Sequence, residues 1–526
     1  MHQLFQSSIK LKKKLYIEVL FLIFLGMVTS LSLPPLNFFI INFFTFTLFF
    51  LFLVKKNEKT RSLNFFLYGW SFGFGYFIIN LYWISISLTF DKDFKFLIPL
   101  TIFLIPSFLA IFYGLASFLF KILKPKTKIC SILTFSLILG VMEFLRGSIL
   151  TGFPWNLIVY SFSDQLKFIS ITSILGTYAL NLFCISLFIT PAIFFSSSNK
   201  KKDFSIGTII FFIALSLNIF GLSHKEKFDK TTSDVNEYKI RIIGSNISLD
   251  RFYLNIDPVS VIEDLIKISN PNLNEKTIFV WPEGILPKIS QQELIEYSWL
   301  FKKKFNENHL LVIGTNNYLD IDGSRKYFNS LSIFDNKLKV LYSYDKINLV
   351  PFGEFLPFEN LLRNFGLKSL TNNYQSFSPG SDRNIIEINK HNVSLKILPL
   401  ICYEIIYSGK LFDKPEFDLI INISEDGWFG NSIGPKQHFV HSIFRAIESG
   451  KYIVRSSNNG IAGIINPTGV IEQIVGFGKT GYIDLKEIRK IQPTIFSLYG
   501  NKIFLCLILL YIFLIFSFNR SKDEQS

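Results

Sequence analysis

The sequence predicts an α-helical membrane bundle of eight spans with a layered α/β domain placed between the seventh span and the eighth. Three observations predict it. Apolar runs recur through residues 15–222 and return at 501–518, each near the ~20 residues that a hydrocarbon core of about 30 Å requires. Composition agrees: 49% of the 526 residues are hydrophobic, 60 are phenylalanine, and the mean hydropathy is +0.35. Between the last two spans the pattern changes to short β-branched runs interleaved with amphipathic stretches, the signature of an α/β layered domain.

The chain opens with a basic tail, 1–14, holding Lys10, Lys12, Lys13 and Lys14. A first apolar run, 15–33, follows; it has no small-residue cleavage site and is read as an uncleaved span. Further spans are expected at 37–54, 63–89, 96–120, 129–145, 168–195 and 205–222. After a linker, 223–237, and the polar domain, 238–490, the eighth span at 501–518 leads into a tail, 519–526. Lysine and arginine concentrate in every second loop: Lys55, Lys56, Lys59 and Arg61; then Lys121, Lys124, Lys126 and Lys128; then Lys200, Lys201 and Lys202. By the positive-inside rule these loops and both termini are cytoplasmic, which puts residues 223–500 on the opposite face of the membrane.

Some functions are disfavoured by the same facts. The net charge of +14 resides largely in those short loops, and no nucleic-acid-binding motif accompanies it. Ionisable residues are nearly absent from the span centres, with Glu18, Glu143 and Arg146 near span ends; ion-coupled carriers bury such groups at mid-membrane. A scaffold or lipid-access role fits the bundle better. Of the four cysteines, Cys130, Cys184 and Cys506 lie in apolar runs, so Cys402 is the one thiol of the polar domain and has no internal disulfide partner there.

Within that domain 239–244, 277–281, 310–314 and 417–423 read as strands, and 259–269, 291–305 and 437–449 as helices. A hairpin is expected around Asn458-Asn459-Gly460. The stretch 363–384 has weak periodicity with Gly, Asn, Ser and Pro, and a loop that long inside a compact domain is commonly a lid or a disordered segment.

Cys402 ends a β-branched run, 393–397 continuing into Leu398-Pro399-Leu400-Ile401, and a helix-like stretch, 404–412, follows. A thiol at the start of a helix faces the positive end of its dipole, which favours the thiolate. A nucleophilic cysteine further needs a base and a positive group for the developing oxyanion. His309, His391, His438 and His441 have no recognisable protease context, and no metal site is expected at His438 and His441, which lack converging ligands. Two motifs stand out instead: Trp281-Pro282-Glu283 at a strand end, and Tyr344-Asp345-Lys346.

In chain order, Trp281-Pro282-Glu283, Asp345-Lys346 and Ile401-Cys402-Tyr403-Glu404 resemble the three signatures of the nitrilase (carbon–nitrogen hydrolase) superfamily, whose sites use a Glu–Lys–Cys triad. Val350 to Pro357, Trp428-Phe429-Gly430-Asn431-Ser432-Ile433-Gly434-Pro435 and Thr151-Gly152-Phe153-Pro154-Trp155 look like the apolipoprotein N-acyltransferases of the bacterial inner membrane, and the resemblance covers essentially the whole chain. It implies a nitrilase-like αββα sandwich, no cofactor, and catalysis by Glu283, Lys346 and Cys402. Glu283 would be the general base and Cys402 the nucleophile, with the Lys346 ammonium and the Tyr403 N–H holding the oxyanion. Glu354 and Glu404 are the candidates to keep Lys346 charged.

The implied donor is a phospholipid, phosphatidylethanolamine being the family's usual one, and the implied acceptor is a diacylated apolipoprotein. Other positions keep two readings. Phe153 and Trp155 either line a lipid cavity or anchor at the interface. Asn329 is either near the site or a turn residue, and Trp428 either edges the site or packs in the core. Arg455 reads as a structural charge partner. The sequence departs from the family's usual pattern at Glu425 and Lys436. A membrane-tethered amidase of the same fold and a non-catalytic scaffold remain as alternatives.

Overall fold

The computed structural model describes residues 2–56, 60–125, 127–196, 200–321, 323–357, 376–390 and 393–523. The chain divides into two compact units, Met1–Ser223 with Tyr499–Ser526, and His224–Leu498.

The first unit is helical. Among the described residues seven helices are long and apolar enough to cross a membrane: Lys13–Ser32, Ser62–Thr89, Phe94–Leu123, Lys128–Arg146, Thr172–Phe195, Thr208–Asp229 and Lys502–Asn519. The remaining expected span, 37–54, is the apolar helix Ile40–Lys56 of 17 residues; at 1.5 Å per residue it is ~26 Å long, short of a core about 30 Å thick. Aromatic rings fill the bundle, as in the face-to-face pair Phe49 and Phe72 at 4.2 Å. Glycine permits its closest crossing: a Cβ on Gly26 would lie 2.0 Å from the Phe72 carbonyl, and one on Gly75 would lie 2.0 Å from that of Ile23. Such small-residue contacts let helix backbones approach where no hydrophobic driving force acts between them. The last helix packs back on Thr172–Ile189 through the hydrogen bond between Ser186 and Tyr511, 2.7 Å.

The segment expected as a linker, 223–237, is regular instead. The helix Lys200–Asp229 continues through its first part and a strand begins at Asp234. Ion pairs one helical turn apart, Lys225 with Asp229 and Lys230 with Glu226, support the extension.

The second unit is built on twelve strands among the described residues: β1 Asp234–Ser245, β2 Thr277–Val280, β3 His309–Ile321, β4 Ser324–Phe334, β5 Val340–Asp345, β6 Ile386–Lys390, β7 Val393–Ile401, β8 Leu419–Glu425, β9 Tyr452–Asn458, β10 Ala462–Ile465, β11 Ile471–Val475 and β12 Gly481–Ile488. Hydrogen bonds join them in one sheet of order β5-β4-β3-β2-β1-β9-β8-β7-β6, with β10, β11 and β12 paired beside this path. β4 approaches β7 although five strands separate them in that order, so the sheet curls like a barrel. β1, β2 and β3 run parallel, as do β7, β8 and β9, and β1 joins β9 in parallel.

Among the parallel strands β2, β8 and β9 are buried at every residue, polar ones included, the pattern of sheets covered on both faces. The helix Pro258–Ser269 starts with Asp257 accepting from Val259 N–H and packs Val261, Ile262, Leu265 and Ile266 into the core with Trp281 and Phe301. The hairpin forms as expected, β9 and β10 pairing across Asn458 to Ile461. The expected helix 291–305 is reduced to two short turns, Glu293–Tyr297 and Ser298–Lys302. Residues 363–375 of the expected lid loop lie outside the described residues; 376–384 are irregular but anchored, as described below.

Candidate active site

The candidate side chains Glu283 and Cys402 lie at the C-terminal ends of the parallel strands β2 and β7, where α/β sheets place their sites. β2 runs into Trp281-Pro282-Glu283. Trp281 is buried, donates from its indole to Ser269 Oγ at 2.9 Å, and holds the strand end through its N–H to the Val312 carbonyl, 2.8 Å. β3 passes so close that a Cβ at Gly314 would lie 2.5 Å from the Glu283 Cα; only glycine leaves room for the Glu283 loop there. β5 ends at Asp345 and delivers Lys346, whose N–H donates to the Asn329 carbonyl at 2.8 Å. The turn after it brings Glu354 back, its carboxylate accepting from Val350 N–H at 2.8 Å.

The three charges meet in a buried cluster. Lys346 Nζ donates to Glu354 Oε1 at 2.9 Å and contacts Glu283 Oε1 at 3.3 Å. Burial works to lower the lysine's pKa, yet the carboxylates of Glu283 and Glu354 outweigh it and hold the ammonium well above the ordinary lysine range. Asn329 bridges both acids, donating from Nδ2 to Glu283 Oε1 at 2.7 Å and to Glu354 Oε1 at 2.8 Å. Asn329 is therefore a strand residue of β4 whose amide hydrogens go to the two carboxylates. Asn329→Asp would set a third carboxylate against them and is expected to lower stability by about 3 kcal/mol; thermal unfolding in detergent measures the loss.

β7 ends at Ile401 and Cys402 follows with φ of 49°, a left-handed conformation unusual for a residue with a side chain. Such a geometry costs of order 1–3 kcal/mol and persists only where its surroundings impose it. Here Ile401 N–H donates to Glu404 Oε2 at 2.9 Å, and the Cys402 carbonyl faces His438 Nε2 at 3.3 Å. The helix expected over 404–412 is a single 3-10 turn, Cys402–Ile406. Glu404 turns back to the strand and sideways to its neighbours, and the chain leaves the turn at Tyr407, which is extended at φ −80° and ψ 115°.

A turn that short has no useful dipole, and the expectation of a thiolate favoured by one is corrected. Burial, followed by the Glu283 carboxylate, pushes the Cys402 thiol well up, with Lys346 acting in the opposite sense. Tyr403 is buried edge-on against Tyr407, 5.6 Å between rings.

Glu404 is also corrected: its contacts lie away from Lys346. Oε1 accepts from Tyr344 Oη at 2.7 Å, Ile347 N at 3.0 Å, Asn348 N at 3.2 Å and Arg383 Nη2 at 2.6 Å. It ties the segment after Lys346 to the turn that carries Cys402, a structural task. Glu404→Gln puts amide hydrogens where donors already point and leaves Arg383 unpaired. The expected cost is about 3–5 kcal/mol, seen as a lower denaturation midpoint.

Several residues of the site carry no sequence signal of their own. Phe377 and Gly380 donate backbone N–H groups to the carbonyls of Glu354 and Lys346, each at 2.9 Å, so the end of the expected lid loop is stapled to the site. Arg383 follows it onto Glu404. Behind the sulfur, Asp426 pairs with Arg455 at 3.0 Å and with His438 at 2.9 Å, bearing out Arg455 as a charge partner. Burial pushes the Asp426 carboxyl up, but Arg455 and His438 outweigh it and hold the group well below its usual range.

Cys402, Asp426 and His438 place possible metal-ligand atoms within 4.8 Å of one another. Asp426, however, is already neutralised by Arg455, and the His438 ring lies between Asp426 and the Cys402 carbonyl. Those donors are committed within the protein and do not fit a resident ion.

Trp428 is half-buried against Phe252, 4.9 Å between rings. In the helical unit, Trp155 is buried between Phe153 and Trp83, at 6.0 and 4.9 Å. Its loop is held by Arg146, which donates to the Phe153 carbonyl and pairs with Glu143.

Residues 25–190 match the apolipoprotein N-acyltransferase N-terminal domain, and residues 278–489 match the carbon-nitrogen hydrolase family. The chain is 30% identical to the apolipoprotein N-acyltransferase of Rhodopseudomonas palustris over 90% of each chain. It is 31% identical to that of Agrobacterium fabrum over 87% of this chain and 88% of the relative. Among solved structures it is similar to Saccharomyces cerevisiae Nit3, a nitrilase-superfamily member, at 18% identity and a TM-score of 0.33, covering 47% of this chain and 90% of that one. With a carbon–nitrogen hydrolase domain matched in the second unit, and relatives matched across both units, the chain belongs to the apolipoprotein N-acyltransferase family.

Proposed function

We propose that the protein transfers an acyl chain from a phospholipid to the N-terminal amine of diacylglyceryl-cysteine lipoproteins through a thioester on Cys402. The observation that carries this is the buried ammonium of Lys346 on the carboxylates of Glu283 and Glu354, beside a thiol that burial keeps protonated. A thiol held that way needs a base at the moment of attack, and Glu283 is the carboxylate that acts on its charge. Glu283 takes the Cys402 proton as the sulfur attacks an ester carbonyl, phosphatidylethanolamine being the donor proposed. Lys346 and the Tyr403 N–H stabilise the oxyanion.

Collapse breaks the ester C–O bond, and Glu283 returns the proton to the departing glycerol oxygen, releasing lysophospholipid. In the second half the lipoprotein's α-amine attacks the thioester and Glu283 accepts its proton. The C–S bond breaks, and the sulfur leaves as the Cys402 thiol with the proton returned. Glu354 and Asn329 keep the lysine and the base in place rather than touching substrate.

The same reading takes Ile40–Lys56 as an eighth span and both termini as cytoplasmic. It places the catalytic domain, 238–490 in an αββα sandwich, on the periplasmic side of a bacterial inner membrane, with Phe153 and Trp155 lining a lipid cavity and Trp428 at the edge of the site. The loop 363–384 would exclude water, which otherwise competes with the amine for the thioester.

Purified protein incubated with phosphatidylethanolamine and a diacylated lipopeptide tests this by mass spectrometry. The expected product is the lipopeptide heavier by one acyl chain. Free fatty acid with an unchanged peptide would instead identify a hydrolase, and no acyl adduct on Cys402 under any condition would leave a scaffold.

A further inference from the structure

Arg251 and Glu425 form a further buried ion pair beside the site, each side chain 2% exposed, which the mechanism above leaves without a task. Arg251 lies in the short turn Asp250–Tyr253. One arm of its fork reaches the Glu425 carboxylate and, at 3.3 Å, the carbonyl of Gly284; the other donates to the Ser248 carbonyl at 2.8 Å and that of Ile247 at 3.2 Å. Glu425 further accepts from Asn458 Nδ2 at 2.7 Å, Gly427 N at 2.8 Å and Asn459 Nδ2 at 3.3 Å. The pair therefore grips two backbone positions at once: Gly284, next in sequence to Glu283, and residue 425, whose N–H donates to Glu283 Oε2 at 2.9 Å.

That N–H has a specific consequence. The other Glu283 oxygen, Oε1, is held by Asn329 and Lys346. The last torsion of a glutamate is broad and roughly two-fold, so contacts at one oxygen leave its rotation soft. The Glu425 N–H, on the second oxygen, sets the plane of the carboxylate. A buried ion pair contributes little net stability over apolar residues of the same volume, because desolvation offsets its attraction. Its worth here is geometric.

We propose that Arg251 and Glu425 are positioning residues that fix the carboxylate plane of Glu283 toward Cys402. The proposal rests on the acyl-transfer reading given above. The same turn supports the wall beside the site, for the Arg251 guanidinium stacks on Phe252 at 4.7 Å and Phe252 packs on Trp428.

Single-turnover thioester formation on the full-length, detergent-purified chain, followed by intact mass with phosphatidylethanolamine as donor, tests this. Arg251→Lys keeps the charge but loses the fork, and is expected to slow acylation about tenfold while the KM for phospholipid stays within about twofold. Glu425→Gln should act in the same direction. Combined, the two should be no slower than about twofold below the worse single variant, because both act through one contact.

Arg251→Met/Glu425→Met, which replaces the pair with apolar volume, guards against misfolding and should be folded yet slow. Either single variant acylating at the wild-type rate overturns the proposal, as does a folded Met/Met double at that rate. Losses that merely track the folded fraction in circular dichroism, or that multiply in the combined variant, overturn it as well. A wild type that forms no thioester overturns the acyl-transfer reading and this proposal with it; a wild type that acylates beside unaffected variants overturns this proposal alone.

Discussion

Cys402→Ala abolishes both the thioester and the transfer of an acyl chain to a lipopeptide, and Cys402→Ser leaves at most about one part in 10³ of the rate, because an alkoxide is far harder to form than a thiolate. Intact mass after exposure to phospholipid reads the first effect, and lipopeptide acylation reads the second. A pH dependence accompanies it. Burial and then the Glu283 carboxylate push the thiol's pKa up, so the sulfur stays protonated through the neutral range and ionises only as the pH rises past the ordinary thiol range.

Alkylation of Cys402 by iodoacetamide, followed by peptide mass mapping, should be slow at neutral pH and climb steeply in alkali. In Glu283→Gln the carboxylate's repulsion is gone, and alkylation should climb at a lower pH although acyl transfer is lost. A sulfur that becomes easier to ionise while the enzyme becomes inactive separates a base from a mere structural charge. If Glu283→Gln alkylated like wild type and still transferred acyl chains, the role of Glu283 would be refuted.

Lys346→Met carries the second large effect. Removing the cation that holds a developing oxyanion lowers turnover by about 10²–10³. It also leaves Glu283 and Glu354 side by side with Asn329 as their shared donor, a stranded charge expected to cost about 3–5 kcal/mol. The lysine's pKa is raised in the folded chain, so its contribution to stability is complete below the unfolded value and declines only as the pH rises through the folded one. The wild type should therefore keep this contribution across neutral pH. Adding Glu354→Gln to Lys346→Met should restore part of the stability and none of the turnover. Thermal unfolding in detergent and lipopeptide acylation report the two separately, and a Lys346→Met protein with ordinary turnover would remove the lysine from the mechanism.

What could be read in advance differed from residue to residue. Glu283, Lys346 and Cys402 stood out because their three short motifs, in chain order, resemble the signatures of the nitrilase superfamily, and two of them, at Glu283 and Cys402, end strand-like runs. Asn329 was legible as a position and not as a task, since nothing local says that an asparagine in β4 will face two carboxylates across the sheet. Glu404 was misassigned for the opposite reason. The family resemblance made it a carboxylate candidate to hold Lys346, whereas its carboxylate satisfies backbone donors at Ile347, Asn348 and Ile401. Arg251, Arg383 and Asp426 gave no signal, because a charged residue reads as solvated until the fold buries it.

From the amino-acid order alone came the apolar spans, the alternating α/β segment, and the glutamate, lysine and cysteine with chemistry to share. These are local properties: span length, side-chain period and residue type are carried by neighbours along the chain. Tertiary structure alone decided that one lysine lies on two carboxylates, that Cys402 sits on a strained turn instead of a helix, and that burial pushes its thiol's pKa up. Each of those depends on which groups converge from distant strands and on how much water they lose on arriving, and neither quantity is written in any window of sequence.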